Sequence, residues 1–221
     1  MITITFELNG KQVRQLPTSW PEVTFKTFLK ITDAGDDVSK ILSALVDIDA
    51  KTLRAAKIYN LDTVLDVVSF LNNPAPQELP DKILGYSIPK DLGFETIGQL
   101  EDLKDEVSKF KKEKVKTVLS KYPLFCAIYA CSAKHGEYDW KKAEAMADEF
   151  LEAPAQEVLA VGNFTLVKLT ALKLGIAHKA QKPTIPPAKF WRVIRAWIAR
   201  LGFTTRFFIW KARHLSPEKN S

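Results

Sequence analysis

The fold turns on residues 117–134, TVLSKYPLFCAIYACSAK. This stretch is apolar on most sides rather than along one stripe, the pattern of a helix covered all round by protein. Pro123 has no N–H and is poorly tolerated in a helix interior, so the helix is expected to kink or restart there. Cys126 and Cys131, five residues apart, point to different faces and read as two buried free thiols rather than a disulfide. A central helix of this kind needs flanking elements to cover it.

On its C-terminal side, His135-Gly136 ends the helix and Asp139 is placed to cap DWKKAEAMADEFL. Pro154 then opens AQEVLAVGNFTLVKLTALKL, which Gly175 is expected to stop. On its N-terminal side lies the basic run KFKKEKVK, preceded by TIGQLEDLKDEVSKF. That segment reads as a helix from Thr96 with Ile97, Leu100, Leu103 and Val107 facing inward. Before it, KILGYSIPKDLGF is β-like, and Pro89 makes it an edge strand or a strand followed by a turn.

Farther back, NNPAPQELP carries three prolines between Pro74 and Pro80 and marks a loop or boundary. It closes a run of three short helices: DDVSKILSALVDI with Val38, Ile41, Leu42 and Leu45 at helical spacing, then DAKTLRAAKIY, then LDTVLDVVSFL. Asp49 and Asp62 are available as caps for the last two. The chain opens with ITITFEL, Asn9-Gly10 and KQVRQL, a hairpin signal because an Asn-Gly turn supplies the positive φ that tight hairpins require. SWPEVTFKTFLKI leads from the hairpin into a helix with Thr24 as N-cap and Phe25, Phe28, Leu29 and Ile31 on its apolar side. The expected fold is therefore α+β and predominantly α-helical: an N-terminal β-hairpin with short helices (1–73), a second short β element and a helical core (81–175), a Pro-rich linker (176–188), and a C-terminal basic amphipathic helix within an arm (189–215).

The charge is unevenly spread. Residues 1 to 187 hold 24 basic and 25 acidic residues, whereas Ala188 to Leu215 hold seven cations and no acid. Three of the five tryptophans, Trp191, Trp197 and Trp210, share that arm. At ~100° per residue, Phe190, Ile194, Trp197 and Leu201 fall within a sector of roughly 60°, with Lys189, Arg192, Arg195 and Arg200 opposite. Gly202 is placed to end this helix, and FTTRFFIWKARHL forms either a second short helix or an extended segment. Phe190, Trp191, Arg192, Arg195, Trp197, Arg200, Arg206, Phe207, Trp210, Lys211 and Arg213 are the candidate partner-binding residues, since Trp, Phe and Arg dominate interface energetics. The arm has four possible counterparts: the protein's own body, another protein, nucleic acid through phosphate contacts and base stacking, or an anionic membrane surface.

Nothing in the sequence reads as catalytic. The nine glycines form neither GxGxxG nor a GxxxxGK[ST] loop. His135, His178 and His214 lie far apart, with no further ligand at metal-binding spacing. Asp36-Asp37 reads as a turn and helix cap, and Asp47 and Asp49 as residues of a helix junction. The expectation is a protein without enzymatic activity, cofactor or metal. Its longest nearly apolar run, 123–131, is far below the ~20 residues of a membrane span. The N-terminus lacks the layout of a signal peptide, so a reducing compartment is expected.

Four passages together resemble the structural and assembly proteins of tailed bacteriophages, especially crAss-like phages of gut Bacteroidetes. They are the opening hairpin with SWPEVTFKTFLKI, the run ILSALVDIDAKTLRAAKIYNLDTVLDVVSFL, the passage YSIPKDLGFETIGQLEDL, and KYPLFCAIYACSAKHGEYDWKKAEAMADEFL followed by VLAVGNFTLVKL. The resemblance covers about residues 1–170, and the arm lies outside it. It implies a non-enzymatic virion component, either internal cargo or a protein near the portal and tail, or alternatively a tail assembly chaperone. The implied partners are head, portal or tail proteins or further copies of the chain, and the implied location is the virion or the host cytoplasm during assembly. The charge of the arm adds a possible DNA contact and the alternative of a nucleic-acid-binding accessory protein.

Overall fold

The computed structural model describes residues 1–7, 10–110 and 118–173. Within them the protein is α+β and mainly helical, with the N-terminal hairpin and a second small β element. β1 (Ile2–Glu7) and β2 (Lys11–Leu16) pair antiparallel from Ile2↔Leu16 to Glu7↔Lys11. Gly10 carries φ +123° at the turn, while Leu8 and Asn9 lie outside the described residues. Alternation along β1 sends Ile4 and Phe6 into the core and leaves Thr3 and Glu7 outside.

A two-stranded ribbon is marginal alone. Here β3 (Lys57–Ile58) adds to the other edge of β1, with Phe6↔Ile58 and Glu7↔Lys57 opposed. This corrects the expectation that DAKTLRAAKIY is one helix. The helix α3 (Ala50–Ala55) ends where Ala56 turns extended, and Tyr59 donates its N–H to the Thr5 carbonyl at 3.1 Å. The free edge of β1 supplies backbone partners for this segment, and Ile58 and Tyr59 are β-prone.

The helices start largely where side-chain oxygens can take their free N–H groups. Thr24 caps α1 (Phe25–Ala34), Asp37 caps α2 (Val38–Val46) and Asp49 caps α3, through Thr27, Ser39 and Thr52 N–H respectively. α4 (Leu61–Val67) departs from expectation: Asn60, at φ +55°, takes the N-cap position without a side-chain bond. Asp62 instead sits in the first turn, where a negative charge complements the helix dipole.

The β-like passage after the proline loop is a hairpin rather than one strand. β4 (Lys82–Ile83) and β5 (Tyr86–Ser87) pair with Ile83↔Tyr86 adjacent to the turn. Both turn residues, Leu84 at φ +51° and Gly85 at φ +86°, are left-handed, as a two-residue hairpin of this hand demands. α5 (Ile97–Lys109) begins with a complete capping box between Thr96 and Gln99. Its buried face differs from the expected one. Gln99, Leu103 and Glu106 are buried, Leu100 and Val107 are partly covered, and Ile97 is 75% exposed. The capping box decides this rotation, because turning Gln99 inward toward its backbone partners turns Ile97 out.

The all-round apolar stretch forms α6 (Tyr122–His135), with Pro123 in its first turn, so the helix restarts there. Every residue from Tyr122 to Cys131 is buried. Both cysteines are free thiols. Gly136, at φ +79°, ends α6, and Asp139 caps α7 (Trp140–Met146). α8 (Ala155–Lys173) follows Pro154 and packs along α6. Gly175, the linker and the arm fall outside the described residues. One hydrophobic cluster runs from Ile4 to Leu169, so the segments before and after the proline loop share a core.

Candidate functional site

Polar side chains from several elements gather around α6. At its N-terminal end the buried Tyr122 hydroxyl donates to Asn163 Oδ1 at 2.8 Å. Asn163 Nδ2 donates to Gln77 Oε1 at 2.7 Å, and Gln77 Nε2 to the Ala75 carbonyl at 3.2 Å. This relay ties α6 and α8 to the proline-rich loop. The Tyr122 ring packs directly against Gly162, so an added Cβ would overlap its Cδ2, Cγ and Cε2 atoms. Gly162 is thus required by close approach.

Midway along α6, Gln99 Nε2 donates to the Ile128 carbonyl at 3.3 Å while its Oε1 accepts from the Glu95 and Thr96 N–H groups. One side chain therefore satisfies the start of α5 and holds it against α6. At the far end of α5, Glu106 is 3% exposed and pairs with Lys109 and, at 3.2 Å, with Lys121 just before α6. Burial raises this carboxyl, but the bonds from the two lysines outweigh burial and leave it below its ordinary value. Glu106 thus joins the ends that flank residues 111–117.

Burial keeps three ionisable side chains of α6 in their protonated, neutral forms. Burial pushes the Cys126 thiol and the Tyr122 and Tyr129 hydroxyls well above their ordinary values. A thiol held protonated is a poor nucleophile. Cys131 Sγ lies against the Glu137 and Asp139 carbonyls. Lys168, lowered by burial, donates to the Asp91 and Leu92 carbonyls and lies 4.8 Å from the Phe94 ring centroid.

Open grooves lie among the described residues. One lies between α1 and α2 and includes Lys30, Asp33, Lys40, Asp47 and Asp49. Its charges serve the fold: Asp47 pairs with Lys30 at 2.9 Å, and Asp49 caps α3. Another lies between β5 and the end of α6 and includes Ile88, Glu95, Tyr129 and Ser132. Among the described residues, no group of three or more His, Cys, Asp and Glu side chains could hold a metal ion, and no helix is long and apolar enough to cross a membrane.

The eleven candidate partner-binding residues, Phe190 to Arg213, all lie outside the described residues. No local sequence pattern marks the positioning residues Gln77, Glu106 and Asn163. Only Gln99 has a readable signal, the Thr-x-x-Gln spacing of a capping box. Comparison of the chain with protein-family models, curated proteins and solved structures finds no match.

Proposed function

We propose that this chain is a non-enzymatic docking protein of a phage particle or its assembly pathway, a compact body that carries a basic aromatic arm for other virion proteins. The observation that carries this reading is the separation of charge: a nearly neutral residue 1–187 segment followed by seven cations and three tryptophans without an acid between Ala188 and Leu215. Trp and Arg together are the side chains that most often anchor protein interfaces. The body suits the part, because the buried Gln99, Glu106 and Tyr122 groups hold its helices in place rather than converging on a groove. The resemblance of residues 1–170 to tailed-phage structural and assembly proteins supports the same role.

Photo-crosslinking from positions 191 and 210 in assembled particles tests the proposal. Crosslinks to a portal, tail or head protein, or to a second copy, are expected. Crosslinks to DNA alone would replace it with the nucleic-acid reading, which the same seven cations favour. That reading further requires DNA affinity that falls steeply with log salt. A chain found during assembly but missing from mature particles would identify the assembly chaperone.

A further inference from the structure

We draw no further inference here: the strongest candidate, the outer stripe of α5 on which the 75% exposed Ile97 is followed at four-residue spacing by exposed Glu101 and Asp105, is an unpartnered acidic and apolar face, and nothing in the structure shows what covers it.

Discussion

Thr24 and Pro154 stand opposite each other in an isolated antiparallel bridge that joins the starts of α1 and α8. Across it Phe25 N–H donates to the Ala153 carbonyl at 2.8 Å, and Ala155 N–H to the Val23 carbonyl at 2.7 Å. Each strand of the bridge leaves a 3-10 turn, Trp20–Glu22 on one side and Ala147–Glu152 on the other, and enters a helix one residue later. The two helix entries are thus built alike and satisfy each other's backbone, although 130 positions separate them in the chain. Thr24 also caps α1, so its hydroxyl fixes one side of the bridge.

Replacing Thr24→Ala removes that cap and is expected to lower unfolding free energy by ~1 kcal/mol, with Thr24→Ser close to wild type. Urea titration followed by circular dichroism measures both. An unchanged midpoint for Thr24→Ala would show that the bridge holds α1 without its cap.

Gly162→Ala places a methyl group in steric overlap with the Tyr122 ring carbons and must displace the ring. The expected cost is roughly 1–3 kcal/mol, the range for overpacking a filled core. Because Tyr122 and Gly162 share one space, the Gly162→Ala, Tyr122→Leu double variant is expected to lose less than the sum of the single changes. Strict additivity in thermal or urea unfolding would contradict the contact.

Glu106 has its carboxyl held below the ordinary value, so it binds protons less readily when folded than when unfolded. Its contribution is present above the ordinary carboxylate range and is lost as pH falls through the folded value. Glu106→Gln is expected to destabilise the protein near neutrality by roughly 1–3 kcal/mol and to flatten the loss of stability below pH ~4.5. Unfolding midpoints measured from pH 7 to pH 3 give the comparison. Parallel curves for the two proteins would remove Glu106 from this role.

Asp37 is held at about 2, first by the Ser39 hydroxyl, then by the Lys40 N–H and the Arg54 guanidinium acting against burial. Arg54 reaches Asp37 Oδ2 at 2.6 Å and Ser39 Oγ at 2.7 Å. The depressed value means that this cap is intact above the ordinary range and weakens only as pH falls toward 2. In Arg54→Met the Asp37 titration seen by NMR is expected to move upward while Ser39 keeps it below 3.8. No movement would mean that Arg54 adds nothing to the cap.

Local chemistry was legible in the sequence, and long-range competition was not. Thr24, Asp37, Asp49 and Asp139 announced four helix starts because capping needs only a short oxygen side chain at the right position. The all-round apolar run announced α6 for a similar reason. Lys57–Ile58 reads as helix in the sequence because its strand partner is β1, about fifty residues earlier. Leu84-Gly85 was missed as a hairpin turn because leucine rarely accepts a left-handed φ, and here the pairing of Ile83 with Tyr86 imposes it. Periodicity alone points Ile97 inward, whereas the capping box turns Gln99 in and Ile97 out. The Tyr122–Asn163–Gln77 relay joins three distant segments of ordinary polar residues, and no local pattern marks it. The candidate binding site stands on the composition of the arm, which lies outside the described residues.

The most direct test of the docking role is quantitative mass spectrometry of purified particles assembled with the full chain or with its Arg192→Glu, Arg195→Glu, Trp197→Ala variant. The wild-type chain is expected at a fixed ratio to the other structural proteins. The variant is expected to be depleted at least about tenfold, since losing interface anchors costs ~2 kcal/mol or more. Equal incorporation of the folded variant, or absence of the wild-type chain from mature particles, would contradict a virion component held by its arm.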